Sequence, residues 1–451
     1  MLKRALQLRR GQNYFLLKIR CYLINYIYNS AIGGHLKTFF LCIILLLALS
    51  VKNVNAGGFQ LNEHGAKPLG MGGAFTAIAN DASAIYWNGA GLTQLTGTQI
   101  LLGTALITPV SSFRGVTPQI NEYKMEKQTF FPSHIFAAFR ASESIVWGLG
   151  VTVPYGLGTK WEEDWIGKYL AVETELMVFA FMPTWAVSLT ENFSISAGFQ
   201  YSYATVLITR KNSQAPFAGD AFIELEGDDK EAFGYQFGLM YKPVKNVSLG
   251  ASFHSEVDYK FKGTANATGA QQLIDAKRLP EEADIEAKLT TPINFAVGLA
   301  YDPISQLTLS FDYQYVGWSS YDVLAVDFID PVYTDLASPR DYENTYIGRF
   351  GFEYRLSPAL SLLGGVYYDN HPVAPEKVSP SLPDANRLGF SGGFDFKFSQ
   401  KLGIAASYLF IRSEENTVAD SKENYTAGLS PFNGTYNSIA NVFSLSFNYS
   451  F

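Results

Sequence analysis

Histidine is the side chain best suited to acid–base chemistry at neutral pH, and four histidines follow residue 56: His64, His134, His254 and His371. A hydrolase would pair one of them with a nucleophile. None lies in a recognisable nucleophile motif, and no spacing typical of a metal site occurs. His254 is followed at intervals of two by Glu256 and Asp258, and residues two apart share one face of a β-strand. This trio predicts a hydrogen-bond network on one strand face, and we expect no enzyme activity, metal or cofactor.

Aromatic residues after position 160 are candidates for binding an apolar molecule. Trp161, Trp165 and Tyr169 recur at a four-residue spacing, with charged residues between them. On a short helix these rings would share one face and could capture a hydrophobic ligand. The alternative is an interfacial girdle, which also collects Trp and Tyr.

The segment 263–281 is a second candidate for ligand capture. Leu273 and Ile274 lie beside Lys277 and Arg278, so an acyl chain and its carboxylate could both find partners there. The alternative is a solvated loop without a binding role.

The composition limits the class of protein that could carry these residues. The 451-residue chain has 34 Phe and 27 Tyr, yet its mean hydropathy is only +0.04. Many aromatics without long apolar runs are typical of transmembrane strands. A net charge of −7, with scattered Lys and Arg, excludes a nucleic-acid partner. Cys21 and Cys42, the only cysteines, precede residue 57, so 57–451 can hold no disulfide or thiolate metal site.

Alternation of apolar and polar residues is the main structural signal, and it is clearest at the C-terminal end. Phe443, Leu445, Phe447, Tyr449 and Phe451 alternate with Ser444, Ser446, Asn448 and Ser450. The same pattern recurs within 387–399 and 193–202. A large soluble sandwich or propeller would also alternate, but the aromatic load and the terminal Phe favour a barrel.

Turn residues divide the chain into fourteen candidate strands, an even number as bacterial barrels require. They lie near 98–109, 129–140, 144–154, 172–190, 193–211, 220–242, 246–262, 282–302, 306–326, 341–356, 359–370, 385–398, 401–413 and 436–451. Every second connection is short, such as Glu191-Asn192 and Ser399-Gln400. The chain over 98–451 is therefore predicted to be all-β, a 14-stranded antiparallel transmembrane β-barrel with both termini on the periplasmic side.

The N-terminus predicts export. Lys37 precedes the apolar run 39–49, and the small residues of Val54-Asn55-Ala56 follow it, so we interpret 1–56 as a signal peptide cut after Ala56. A membrane anchor is the alternative, but a spanning helix needs about 20 apolar residues. The basic segment 1–34 is either an extended n-region or a misassigned translation start.

Residues 57–97 interrupt the strand pattern with many glycines and alanines. We expect this segment to be a plug, or hatch, inside the barrel lumen at the periplasmic mouth. A disordered tail is the alternative, but apolar residues such as Phe59, Phe75 and Trp87 are too frequent for one.

The same segment resembles the N-terminal hatch of the FadL/TodX family of outer-membrane transporters for long-chain fatty acids and aromatic hydrocarbons. The likeness is carried by Gly57-Gly58-Phe59-Gln60-Leu61-Asn62-Glu63, Gly70-Met71-Gly72-Gly73-Ala74 and Asn88-Gly89-Ala90, and by Asp384-Ala385-Asn386-Arg387-Leu388-Gly389. It implies a fourteen-stranded barrel closed by a hatch. The family usually has Asn-Pro-Ala where this chain has Asn88-Gly89-Ala90, so we expect a less rigid hatch loop.

The resemblance also implies a mechanism. A hydrophobic ligand lands on the extracellular loops, passes to an inner pocket that is closed by Phe59, and leaves sideways through a gap beside a kinked third strand. The predicted third strand contains Gly148, Gly150 and Pro154 as kink candidates, although glycine is also common in ordinary barrel strands.

A general diffusion porin for hydrophilic solutes is the rival function, because charges of both signs, such as Asp312 and Arg349, alternate onto the predicted lumen face. The hatch-like segment favours hydrophobic transport by passive diffusion in the outer membrane of a Gram-negative bacterium. The expected partners are the ligand, outer-membrane lipid and, through the terminal Phe451, the barrel-assembly machinery. The ligand itself is not predicted.

Overall fold

The computed structural model describes residues 57–118, 120–213, 219–269, 271–423 and 431–451. The predicted signal peptide, 1–56, lies outside these residues. No helix in the described part of the chain is long and apolar enough to cross a membrane.

Fourteen strands, counted over the described residues, close into one antiparallel barrel. They are β1 Thr98–Gly115, β2 Ser133–Arg140, β3 Ile145–Lys160, β4 Glu173–Thr190, β5 Phe193–Ser213, β6 Asp220–Val244, β7 Val247–His254 with Val257–Thr268, β8 Glu282–Thr291 with Asn294–Ile304, β9 Leu307–Val316 with Val323–Phe328, β10 Thr345–Arg355, β11 Leu360–Asp369, β12 Arg387–Lys397, β13 Leu402–Ser413 and β14 Gly434–Ser450. Pairing of β1 with β14, from Gln99 opposite Ser450 to Gly115 opposite Gly434, closes the ring. The predicted fold class is confirmed.

The barrel has an apolar outer face and a lumen face of small and polar residues. On β14, Phe443 is 55% exposed on the outside, whereas Ser444 and Ser446 are 4% and 1% exposed on the inside. In a closed ring, the backbone N–H and C=O groups of each strand pair with those of its two neighbours. This pairing is needed in lipid, because lipid offers no hydrogen-bond partners.

The two rims differ as the turn residues predicted. Short turns, such as 191–192 between β4 and β5, lie at the rim that also carries the start of β1 and the end of β14. We call this the lower rim. Above it, three short segments extend the sheet: Glu122–Lys124 beside β1, Leu336–Pro339 beside the upper part of β9, and Asn416–Val418 beside β14.

Three strands, β7, β8 and β9, are interrupted, although each was predicted to be continuous. In β8 the interruption falls between Thr291 and Asn294 and contains Pro292, which has no N–H to give to a ladder. The lower part of β8 pairs with the lower part of β9, while the upper part pairs with Val326–Phe328 over only three residue pairs. The upper barrel is therefore more loosely joined here than the lower barrel.

The interruption of β7 makes the predicted histidine–carboxylate network wrong. His254 ends the lower part and lies near Tyr86, with ring centroids 5.6 Å apart. Beyond the break the alternation is reversed, so Glu256 and Asp258 are exposed on the outside. The Asp258 carboxylate accepts a hydrogen bond from Thr290 at 2.6 Å. A shift of one residue exchanges the two faces of a strand, and spacing alone does not reveal it.

Residues 57–97 cross the lumen in its lower half. The segment contains two short helices, α1 Ala66–Gly70 and α2 Ala84–Trp87, and a 3₁₀ helix, Gly89–Gln94. Helix α1 contacts β11 to β14, and the 3₁₀ helix contacts β3 to β6 on the opposite wall. Phe75 is fully buried, with no exposed surface. Two other short helical stretches matter below: α3 Gln271–Asp275 and the 3₁₀ helix Trp318–Ser320.

Candidate functional site

Asn88 fastens the N-terminal segment to the barrel wall. Its amide nitrogen donates to the carbonyl of Thr76 at 2.8 Å and to that of Leu239 on β6 at 2.9 Å. Its amide oxygen accepts from the N–H of Ala90 at 3.2 Å and so caps the 3₁₀ helix. The buried amide thus uses both donors and its acceptor, an arrangement that a buried polar group requires.

Gly89 lies against the wall without room for a side chain. A Cβ at this position would lie 2.7 Å from the hydroxyl of Ser196 and 2.8 Å from a methyl carbon of Thr184. The space that a side chain at position 89 would need is therefore occupied by residues of β4 and β5. The sequence predicted flexibility at this position, whereas the structure shows close packing.

Two buried charges hold the middle of the segment. The carboxylate of Asp312 on β9 accepts from the N–H groups of Phe75 and Thr76 at 2.9 and 2.7 Å. Lys67 of α1 forms an ion pair of 3.1 Å with Glu353 of β10, and both side chains are less than a tenth exposed. Removal of one partner of such a pair leaves an uncompensated buried charge.

His64 joins the segment to β3. Its ring Nδ1 lies 2.5 Å from the hydroxyl of Thr152, and its backbone carbonyl accepts from the indole of Trp87 at 2.8 Å. Burial lowers the pKa of His64 to about 3, so this imidazole is neutral and serves as a hydrogen-bonding group.

The upper half of β3 has an unpaired edge. The ladder between β2 and β3 runs only from Arg140 opposite Val146 to Ile135 opposite Val151. Beyond Val151, β3 continues to Lys160, but no strand among the described residues pairs with this edge in place of β2. The hydrogen-bond ladder of the barrel wall is therefore interrupted between β2 and the upper half of β3.

A β-bulge marks the start of this opening. Thr152 pairs with Ala180 and Tyr155 pairs with Val178, so β3 has two residues where β4 has one. Pro154, one of the kink candidates, is one of those two residues. A bulge bends a strand and increases its twist locally.

Gly148 and Gly150, the other kink candidates, lie in regular pairing with β4, so the structure does not place a kink at either. A Cβ at Gly148 would lie 2.8 Å from Leu92, and one at Gly150 would lie 2.9 Å from Ile85. These glycines let the N-terminal segment approach the wall closely.

The first residues of the N-terminal segment occupy the free edge of β3. The N–H of Leu61 donates to the carbonyl of Pro154 at 2.9 Å, and the N–H of Gly156 donates to the carbonyl of Phe59 at 3.0 Å. Residues 59–61 thus take the pairing position that β2 leaves empty. Above them, the ring of Phe130 lies so close to Gly158 that a Cβ there would clash with it.

A cavity of about 780 Å³ extends through this opening. At its inner end it is lined by Phe59, Leu61 and Glu63, and at its outer end by Met177 and Phe179. The last two side chains are each 41% exposed on the outer face of β4. Burial raises the pKa of Glu63. The cavity therefore connects the N-terminal segment with the outer, apolar face of the barrel.

Phe59 lies in an aromatic pocket at the inner end of this cavity. Its ring centroid is 4.7 Å from that of Trp318, 5.8 Å from Tyr321 and 6.1 Å from Tyr155, each in an edge-on arrangement. The side chain is 5% exposed. Complete burial of a phenyl ring contributes about 1.5–3 kcal/mol.

Asp384 and Arg387 hold the residues that precede this ring. The carboxylate of Asp384 accepts from the N–H of Gly58 at 2.7 Å, and the guanidinium of Arg387 donates to the carbonyl of Gly58 at 2.8 Å. The two side chains also form an ion pair of 2.7 Å. Both lie in the Asp384–Gly389 stretch that the family resemblance singled out, although neither was predicted as a site residue.

A second cavity, of about 210 Å³, adjoins the first, and Phe59 lines both. Apolar side chains such as Leu176 and Phe261 share its lining with Arg210, Arg340 and Glu423. Burial raises the pKa of Glu423, and the Nε of Arg340 has no hydrogen-bond partner among the described residues. Arg340 and Glu423 lie 3.7 Å apart as an ion pair, so the site joins an apolar surface to partly buried charged groups.

The predicted aromatic capture face differs from the structure. Residues 161–170 form turns rather than a helix. Trp161 and Trp165 stack at 4.3 Å and are 1% and 3% exposed, so they form a core beneath the loops. Tyr169 lies apart from them and donates to Asp220 at 3.0 Å. The four-residue spacing of Trp161 and Trp165 is consistent with their stacking. It does not indicate that other parts of the chain bury the two rings.

The four candidate residues of the second predicted capture segment do not line the cavities, although Gly263 at its start lines both. Leu273 and Ile274 lie on α3 and are half-buried, while Lys277 and Arg278 are exposed. None of the four lines either cavity. Trp318 and Tyr321, which surround the Phe59 ring, lie within the interruption of β9 and gave no sequence signal.

Comparisons with known proteins agree with this architecture. The family described as outer membrane protein transport protein (OMPP1/FadL/TodX) matches residues 47–451. The long-chain fatty acid transport protein of Escherichia coli O6:H1 is 23% identical over 430 residues, covering 86% of this chain and 95% of that protein.

Two solved structures show the same fold. The crystal structure of a Pseudomonas aeruginosa FadL homologue has a TM-score of 0.80 at 20% identity, over 88% of this chain and 100% of that one. The Pseudomonas putida toluene transporter TodX has a TM-score of 0.70 at 17% identity, over 87% of this chain and 99% of that one. Because the family match spans the N-terminal segment and the whole barrel, the chain belongs to the OMPP1/FadL/TodX family of outer-membrane transport proteins.

Proposed function

We propose that this protein takes up hydrophobic small molecules, long-chain fatty acids or aromatic hydrocarbons, by passive diffusion with lateral exit through the barrel wall. The observation that carries the proposal is the free upper edge of β3. The first cavity passes beside this edge, from Phe59 to the lipid-facing side chains Met177 and Phe179. Lateral exit suits an apolar ligand because lipid lies beside the barrel, whereas water fills the periplasm.

In the proposed mechanism, residues 57–61 are the movable closure. Phe59 occupies the aromatic pocket, while the backbone at Phe59 and Leu61 occupies the free edge of β3. A ligand that displaces the Phe59 ring therefore also breaks the two backbone hydrogen bonds, from Leu61 to Pro154 and from Gly156 to Phe59, that cover the opening. Binding in the pocket and opening of the wall are thereby coupled.

The proposed mature N-terminus strengthens this closure. Cleavage after Ala56 would create an α-ammonium group at Gly57. A Cβ on Gly57 would lie 2.6 Å from a carboxylate oxygen of Asp384, so the new charge would form beside that carboxylate. Outer-membrane lipid is the proposed acceptor of the ligand, and the exposed Phe451 is the proposed contact for barrel-assembly machinery.

The remainder of the N-terminal segment, 62–97, is proposed to be the hatch that excludes hydrophilic solutes. It fills the lower lumen and makes buried contacts with both walls. This arrangement favours a hydrophobic transporter over a general porin, for which an open aqueous lumen is required.

Arg210 and Arg340 in the second cavity outnumber the carboxylate of Glu423, which lies 3.7 Å from Arg340, and so favour a ligand with an anionic head. A carboxylate can accept charge-assisted hydrogen bonds from a guanidinium, and the relative from E. coli is named for long-chain fatty acids. The neighbour TodX is named for toluene, which has no such head. Fatty acids are therefore the preferred ligand class in this proposal.

Uptake of labelled oleate and toluene by cells tests the function, with cells that lack the protein as the reference. We expect the protein to accelerate the uptake of oleate most. In planar bilayers, the same preparation should show small or erratic conductance. Large, steady conductance together with no accelerated uptake would establish the porin instead.

A further inference from the structure

A hairpin that begins with the upper part of β9 and precedes β10 forms one wall of the second cavity. Its strands are Val323–Phe328 and Leu336–Pro339, paired with Val326 opposite Leu336 and Leu324 opposite Ser338. Residues directly opposite in an antiparallel pair project from the same face. The hairpin therefore has two distinct faces.

The two faces have different surroundings. Leu324, Val326, Leu336 and Ser338 share one face, and all four line the second cavity. Val323 lies on the other face, opposite Pro339, and neither residue lines the cavity. The apolar inner face thus covers the cavity in the manner of a lid.

The outer edge of this lid is free. Leu336–Pro339 pairs with Val323–Val326, and no strand among the described residues pairs with its other edge. Lys377 lies across this edge, with its ammonium 3.3 Å from the carbonyl of Pro339 and in an ion pair with Asp341.

The cavity reaches the surface at this edge. Leu336 is 38% exposed although it lies on the cavity face, whereas its partner Val326 is 5% exposed. An apolar side chain that belongs both to the surface and to the cavity lining marks the place where the two meet. The hairpin is also attached to the barrel by only a three-residue ladder, from Ile285 to Ala287.

We propose that hydrophobic ligands enter the second cavity beneath the free edge of this hairpin, at Leu336. The inference rests on the proposed function and assigns its extracellular entrance. An apolar chain gains burial against Leu324, Val326 and Leu336, while Lys377 and Arg340 lie where an anionic head would follow. Leu336 at this entrance lines only the second cavity, whereas Met177 and Phe179 at the proposed lateral exit line only the first.

Single cysteines provide the test, since Cys21 and Cys42 are the only native cysteines and both precede residue 57. Leu336→Cys on the cavity face is compared with Val323→Cys on the outer face, because the native side chains are 38% and 40% exposed. Each variant is labelled in cells with a bulky maleimide, its labelling is verified by mass, and the uptake of labelled oleate and toluene is measured.

We expect labelling to abolish the uptake of both ligands that unlabelled Leu336→Cys still supports, whereas labelled Val323→Cys should take up both ligands as fast as its unlabelled form. Equal uptake by the two labelled variants would overturn the proposed entrance, as would failure of Leu336→Cys to react where Val323→Cys does. If the unlabelled wild type accelerates uptake of neither ligand, the proposed function itself fails, and that result is separate from the labelling comparison.

Discussion

The N-terminal segment is held in two different ways along its length. Between residues 64 and 94, buried polar contacts fix it to the wall, including the Asn88 amide, the Asp312 carboxylate and the Lys67–Glu353 ion pair. Residues 57–61 are instead held by the ring of Phe59 in its aromatic pocket and by hydrogen bonds at cavity walls.

The difference separates a fixed part from a replaceable part. Loss of a contact in the 64–94 region leaves a buried amide, carboxylate or ammonium group without its partner, and this costs free energy of folding. Loss of the Phe59 contact leaves no charge without a partner, because Asp384 keeps its ion pair with Arg387, and another apolar group can take the place of the ring in the pocket. A hydrophobic ligand can therefore compete with residues 57–61 but not with residues 64–94.

Deletion of the entire segment should have the largest effect. Without 57–97, the lower lumen loses its filling, so we expect single-channel conductance to rise strongly while the barrel still inserts. Deletion of 57–61 alone should leave conductance almost unchanged, because residues 62–97 still block the lumen. Equal conductance for the full deletion and the wild type would show that the segment is not a plug.

Phe59→Glu should strongly slow hydrophobic uptake. An unpaired carboxylate is costly in an apolar site, so residue 59 should leave the pocket. Its charge would then lie on the path between the two cavities, which an apolar ligand must cross even when the wall is open. Uptake of labelled oleate and toluene is measured at matched outer-membrane abundance, with Phe59→Leu as the apolar control. Wild-type rates for Phe59→Glu with both ligands would mean that residue 59 does not belong to the pathway.

Lys67→Met should loosen the fixed part. Glu353 and Asp395, which lie 3.1 and 3.8 Å from the Lys67 ammonium, would lose their partner, and breaking a buried pair costs about 3–5 kcal/mol. Hydrogen–deuterium exchange within 64–94 should accelerate. Lys67→Met combined with Glu353→Gln should recover much of the protection, and no recovery would assign the effect to lost packing.

Gly89→Ala should have the smallest effect of this series. The new Cβ would meet Ser196 at 2.7 Å and Thr184 at 2.8 Å, and overpacking of this kind costs about 1–3 kcal/mol. We expect a modest fall in the temperature at which the folded barrel is lost in detergent, partly restored by Ser196→Ala. An unchanged temperature would indicate that the wall yields easily at this point.

The strand number and the two rims could be predicted because alternation and turn residues are local features. The interruptions of β7 and β9 could not, since their neighbours in the sheet are set by residues far along the chain. For the same reason Trp161 and Trp165 were predicted to capture a ligand, whereas both are buried and the distant loop residue Phe432 packs against Trp165.

The site was predictable only where a motif carried it. Phe59 and Asn88 were identified through the family resemblance, and Pro154 through its effect on a strand. Trp318 and Tyr321 lie in the interruption of β9, and Arg340 follows the short strand Leu336–Pro339. In these irregular stretches no period or spacing indicates which side chains belong to the site.

The most direct test of lateral exit is deletion of Pro154. Because β3 has two residues between Thr152 and Tyr155 where β4 has one, the deletion removes the bulge and preserves the inward and outward alternation beyond it. Pro154→Ala keeps the bulge and serves as the control.

Uptake of labelled oleate and toluene should be measured for both variants at equal outer-membrane abundance of the folded barrel. We expect the deletion to reduce uptake to the level of cells without the protein and the control to transport normally. Undiminished uptake by a folded barrel that lacks Pro154 would contradict lateral exit beside β3.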